Sequence, residues 1–119
     1  MFTQIKTSKQ NREVVTNLSR KFNLGAENVV ARIALTYSLS KGHKLSLNDI
    51  KDSQGKEYSK SVLFGTNYPF YLGLICVHYN LYKTDKDIPK YIKMHIDDGL
   101  ELMNKELLDN PNLNGIDYL

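Results

Sequence analysis

From Glu27 to Leu39 the chain places Val29, Val30, Ile33, Ala34 and Tyr37 so that apolar side chains cover most of a helix's circumference. Such a helix is stable only when other elements surround it, which puts it at the centre of the core. The remaining chain must therefore supply a shell, and 119 residues suffice for one domain of that kind. Two segments with a two-faced pattern fit the task. The first spans about 8–22, with Val14, Val15, Leu18 and Phe22 on one stripe. Thr7 and Gln10 offer a capping box at its start, and Asn23-Leu24-Gly25 offers residues that tolerate positive φ at its end. The second opens at Asp87-Ile88-Pro89, an N-cap aspartate with proline in the first turn, and carries Ile88, Ile92, His95 or Ile96, Gly99 and Met103.

The rest is less regular. Residues 1–7 read as a short extended segment, with Phe2, Gln4 and Lys6 on one side and Thr3 and Ile5 on the other. Residues 43–60 are a polar connection with a turn at Asp52-Ser53-Gln54-Gly55. Residues 68–82 carry Phe70, Tyr71, Leu74, Ile75, Val77 and Leu81 on nearly every side and read as a buried third helix. Pro69 and Gly73 leave a strand over 72–77 open there. The sequence thus predicts a mainly α, compact single domain over 1–108, with an N-terminal extended segment and a loose acidic tail over 109–119.

Several chemistries find no support. The longest apolar runs are too short to span a bilayer, and the N-terminus has no apolar stretch of a secretory signal. The single cysteine, Cys76, excludes an internal disulfide, fits a reducing cytoplasm, and sits in an apolar segment expected to keep it inert. His43, His78 and His95 stand far apart, without the spacing of a metal site, and His95 reads as a structural, hydrogen-bonded histidine. Asp97-Asp98 reads as surface charge, since neighbours on a helix point about 100° apart. The seven glycines are scattered and build no phosphate loop. No cofactor, no metal and no catalytic residue is expected.

Charge is more informative. The net charge is +3, but residues 1–60 hold eleven Lys and Arg against five Asp and Glu, whereas residues 97–119 hold one lysine against six acids. A basic front and an acidic end fit a polyanionic partner, although a solvated surface gives the same count. An extended segment, a helix, and then Gly25-Ala26-Glu27-Asn28 opening a second helix with Arg32 one turn on resemble the ribbon-helix-helix arrangement of DNA-binding proteins over residues 2–39. That resemblance implies Gln4 and Lys6 at groove-facing strand positions and a helix N-terminus aimed at a phosphate.

Three longer blocks, in register over about residues 3–107, resemble the DndE family of DNA sulfur-modification proteins. They are Asn28 to Leu39, similar to that family's Arg-x-Ala-Leu-x-x-Ser-Leu helix; Gly55-Lys56-Glu57-Tyr58 followed by Leu63-Phe64-Gly65; and His95-Ile96-Asp97-Asp98-Gly99-Leu100, similar to its His-Ile-x-x-Gly motif. The resemblance implies a mostly helical protein that assembles as a tetramer. It further implies binding of double-stranded DNA, with a preference for nicks, through surface lysines. Its partners would be a sulfur-activating enzyme and an ATPase that together replace a non-bridging phosphate oxygen by sulfur. Arg32, Gly55, Glu57, Gly65, His95 and Gly99 match motif positions, and their chemistry suggests structural roles: an internal ion pair for Arg32, a turn for Gly65, and close approach of a neighbour at Gly99.

The candidate DNA contacts are therefore the cations Lys6, Lys9, Arg12, Arg20, Lys21, Lys41, Lys44, Lys56 and Lys60. A +3 monomer neutralises few phosphates, so an oligomer must sum their contacts. The competing expectation is a protein–protein scaffold whose lysines are ordinary solvated surface.

Overall fold

The computed structural model describes residues 2–118; Met1 and Leu119, the outer ends of the expected extended segment and tail, lie outside the described residues. The order is β1 (Gln4–Lys6), α1 (Lys9–Phe22), α2 (Glu27–Ser40), β2 (Glu57–Ser59), α3 (Lys60–Phe64), α4 (Tyr68–Tyr79) and α5 (Ile88–Asp109), with short 3-10 turns at Leu47–Asp49, Gly65–Asn67 and Gly115–Tyr118. Mainly helical architecture agrees with the sequence pattern.

The central helix is α2, and its most extensive neighbour is α5. Val30, Ala31, Ala34 and Leu35 of α2 are fully buried with Ile92, Ile96, Leu100 and Met103 of α5. Val29, Ile33 and Tyr37, expected inside, are only half-buried, because α5 covers the adjoining face. The crossing is very close at Gly99, where an added Cβ would lie 1.9 Å from the Ala34 carbonyl oxygen. Only a residue without a side chain fits there. The expected stripe of α5 is buried throughout, His95 included.

The N-terminal cap sits one residue later than expected. Ser8, extended at φ −70° and ψ 157°, accepts the Asn11 N–H through its hydroxyl. Thr7 faces the other way and exchanges hydrogen bonds with the Lys56 backbone. Gly55 is pressed against this corner, its missing Cβ falling 2.1 Å from the Ser8 carbonyl oxygen. The polar connection then forms β2, which pairs antiparallel with β1 in the register Gln4↔Ser59, Ile5↔Tyr58 and Lys6↔Glu57. The strand-helix-helix order of a ribbon-helix-helix unit is present, but the ribbon is completed within one chain. Three residues with a single inward side chain, Tyr58, gave no periodic signal for this strand.

Residues 68–79 form a helix and not a strand, with Pro69 in its first turn, where the missing N–H costs nothing. It is not buried as expected: only Ile75 is fully enclosed, Cys76 is half-exposed, and Phe70 and Val77 are 62% and 84% exposed. The segment after α5, expected to be loose, makes defined contacts. Tyr118 packs edge-on against Tyr37, lies 5.6 Å from the Phe22 ring, and donates a 2.8 Å hydrogen bond to Glu106.

Two polar networks lock α5 in place. At its centre, Asp97 is 3% exposed, so the acidic pair is not surface charge. Asp97 accepts the Ser8 N–H at 3.0 Å, the Asn11 amide at 2.8 Å and the Lys93 ammonium at 2.7 Å. On the opposite side His95 bridges α2 and α4: Ser38 Oγ lies 2.8 Å from Nδ1 and Tyr79 Oη 2.5 Å from Nε2, while Ser38 donates to Asp98. Burial, aided by nearby His78 and opposed by Asp98, pulls the His95 pKa down to about 4. The folded protein therefore carries it neutral, whereas the unfolded chain takes up a proton near pH 6.5. Stability from this site is complete above that pH and is lost as pH falls towards 4, by up to about 1.4 kcal/mol per pH unit. Urea unfolding of the wild type between pH 7.5 and 4.5 is expected to show this decline, and His95→Gln to start lower and titrate less.

Candidate nucleic-acid interface

Helix α1 presents its cations as a group. Val14, Val15, Leu18 and Phe22 fix the buried side. At about 100° per residue, Lys9, Arg12 and Arg20 fall within roughly 80° of one another on the side facing away from it, with Thr16 between them. All three are exposed. Lys56, arriving from the connection before β2, shares a surface depression with Arg12, Glu13, Thr16 and Asn17. Lys21 lies about 100° round the helix from Arg20 and so points off this face; in the last turn, with Arg20, it meets the negative end of the helix dipole.

The other candidates are placed differently. Lys6 is exposed on β1 and lies 3.9 Å from Glu57 across the ribbon. Lys60 is half-buried, its ammonium 4.3 Å from the Tyr68 ring centre and 5.5 Å from that of Phe2. Lys56 pairs with Glu27 at 3.2 Å. Lys41 and Lys44 follow the C-terminal end of α2 among acids. Lys41 stacks on Tyr37, whose hydroxyl donates to Glu106, and Lys44 borders a depression with Asp49, Asp98 and Glu101. Thus α1 gathers Lys9, Arg12 and Arg20, with Lys56 adjoining and Lys21 turned to another side. Lys41 and Lys44 sit in an acidic setting.

Two phosphate-facing features of the ribbon-helix-helix likeness are not present. The first turn of α2 is occupied by Glu27, which also accepts a 2.8 Å hydrogen bond from Thr16. Among the described residues Arg32 has no ion-pair partner; it turns inward and donates to the Leu63 carbonyl at 2.9 Å. Among the described residues no three His, Cys, Asp or Glu side chains converge as a metal-binding group, and no helix is long and apolar enough to cross a membrane.

Lysines 83, 86 and 90, which sequence reading passed over, are exposed around the turn before α5. Their clustering over residues 83–93 was visible as four lysines in eleven residues. Lys93, the fourth, is consumed internally by Asp97, at the i, i+4 spacing that could have revealed the pair.

The family model for the DNA sulphur modification protein DndE matches residues 4–110. The chain belongs to the DndE family. Solved DndE structures share its fold. One from Escherichia coli B7A, described as involved in DNA phosphorothioation modification, superposes with a TM-score of 0.69 at 17% identity, covering 87% of this chain and 98% of that one. A glycine-to-lysine mutant of DndE gives 0.71 at 19% identity over the same shares. A search of curated proteins finds no match. The DndE motif positions are structural here: Gly55 and Gly99 admit backbone neighbours, Gly65 turns the chain at φ +56°, His95 and Arg32 tie helices together, and Glu57 faces Lys6.

Proposed function

We propose that this DndE-family chain is a non-catalytic, DNA-binding accessory subunit of a bacterial DNA phosphorothioate-modification complex in the cytoplasm. It grips duplex DNA, nicked duplex preferentially, by its phosphates and works beside the sulfur-activating enzyme and the ATPase. The observation that carries this reading is the shared outward face of Lys9, Arg12 and Arg20 on α1. Phosphate contacts of this kind set affinity without reading sequence. The molecule is 41 Å in its longest dimension, enough to follow about one turn of duplex.

One copy offers few contacts, so the reading includes a homo-oligomer, a tetramer as the family resemblance implies. Helix α4 has no Asp, Glu, Lys or Arg, and with Leu39 it lays Phe70, Leu74 and Val77 along an open apolar groove. A charge-free face suits a second copy of the chain and repels nothing in it. The same groove favours a second reading, a scaffold that holds partner proteins and leaves DNA alone.

The titration that tests the proposal measures duplex affinity against salt, alongside light scattering for mass. A slope of log K on log[salt] steeper than about −3 is expected, from three phosphates per copy and more than one copy. A flat slope removes the clamp and leaves the scaffold.

A further inference from the structure

Beside the β1–β2 ribbon lies a cleft of about 460 Å³, apart from the Lys9, Arg12 and Arg20 face of α1. Its floor is aromatic: Phe2 and Tyr68 meet edge-to-face, with ring centres 5.7 Å apart at 65°. Its rim is the turn before α5, where Lys83 and Lys86 stand exposed with Asp85 between them. Lys60 reaches in from the start of α3 and rests its ammonium on the Tyr68 and Phe2 rings. Asp85 is partly engaged, since its carboxylate accepts the Asp87 N–H at 2.8 Å. Among the described residues Lys60, Lys83 and Lys86 have no ion-pair partner, whereas neighbouring Lys90 pairs with Asp87 at 3.5 Å. Tyr82, 87% exposed, opens the same turn.

We propose that this cleft binds an unpaired nucleotide, its base taking the place of the Lys60 ammonium over Tyr68 and Phe2 and its flanking phosphates meeting the displaced Lys60 together with Lys83 and Lys86. Aromatic faces within reach of several uncompensated cations are the arrangement that holds single strands, because every base offers a π-face and every linkage a negative charge. A fully paired duplex cannot use the aromatic floor, since its bases are stacked on one another. An acidic peptide would use the lysines but gain nothing specific from the rings. The surface is also continuous with the ribbon: Pro89, on the rim, borders the neighbouring depression that contains Lys6 and Lys90. A strand leaving the duplex thus meets cations along its path to the rings. The proposal rests on the duplex-binding reading for its setting, although the cleft can be tested separately.

The experiment compares a blunt duplex, the same duplex with a four-nucleotide single-stranded tail, and the tail alone as an oligonucleotide. The tail is expected to tighten binding roughly tenfold, as stacking of a base on an aromatic side chain does. Tyr68→Leu keeps an apolar filler in the contact with Phe64 but removes the stacking surface. It should abolish most of that gain and leave blunt-duplex affinity within about twofold, while Tyr68→Phe retains the gain. Equal wild-type affinity for blunt and tailed duplex, or full competition by an acidic peptide, overturns the cleft and leaves the duplex clamp standing. Binding of the tail oligonucleotide without blunt duplex does the reverse. The wild-type ratio needs no variant, so a poorly folded Tyr68→Leu protein does not decide the outcome.

Discussion

Asp97→Ala is expected to remove about 3–5 kcal/mol of folding stability and roughly 10–20 °C of melting temperature, although the side chain is buried and is not itself a proposed DNA contact. Among the described residues its carboxylate is the one within ion-pair distance of Lys93, whose side chain is 7% exposed. Truncation leaves a buried ammonium with one remaining acceptor, the Asp52 carbonyl at 2.8 Å. It also deprives the first turn of α1 of the acceptor for the Ser8 N–H and the Asn11 amide, at the end where the helix dipole favours negative charge. Lys93→Met should cost less, because Asp97 keeps two donors. The double variant Lys93→Met with Asp97→Ala should cost less than the two single changes added together, since the stranded charge is gone. Urea unfolding of the four proteins measures this. An Asp97→Ala protein within 1 kcal/mol of wild type means that Asp97 is not the anchor between α5 and α1.

That anchor marks the boundary of what sequence pattern conveys. The stripe of α5 was legible because Ile88, Ile92, Ile96, Gly99 and Met103 recur every three to four residues, and the glycine among them announced a close neighbour. Asp97 and Asp98 do point apart, as helix geometry requires, but pattern does not say that one direction leads into Lys93 and the start of α1. Helix α4 shows the converse. Hydropathy made it look enclosed, yet what encloses a helix is its neighbours, and only Ile75 faces them fully. An apolar side left bare on one chain is what a covering copy would explain, and periodicity within one chain has no term for a second. The candidate interface was legible in part. Lys9, Arg12 and Arg20 of α1 could be placed on one face by rotation alone, whereas Lys56, Lys60 and the turn carrying Lys83 and Lys86 are brought beside other elements by tertiary packing, which no spacing encodes.

The charge on α1 should therefore count by position and not by total. Reversing Lys9, Arg12 and Arg20 together to Glu is expected to weaken duplex binding at least 100-fold near 0.1 M salt and to flatten the salt slope by about 3 for each copy engaged, one unit for each phosphate no longer neutralised. The three side chains are exposed and lie off the buried stripe, so folding and oligomer mass should survive. Reversing Lys41 and Lys44 to Glu changes net charge by four where the α1 variant changes it by six. If affinity followed net charge alone, the smaller reversal would recover most of the larger effect. Both lysines sit among Glu106, Asp49, Asp98 and Glu101, whose field already opposes a phosphate, so the expected change is within about threefold. Fluorescence anisotropy with a labelled duplex, read beside light scattering, separates the cases. Equal losses from both reversals mean a diffuse electrostatic attraction with no organised face. No loss from either, with mass intact, moves the protein's role to the apolar groove along α4 and to the partners that fill it.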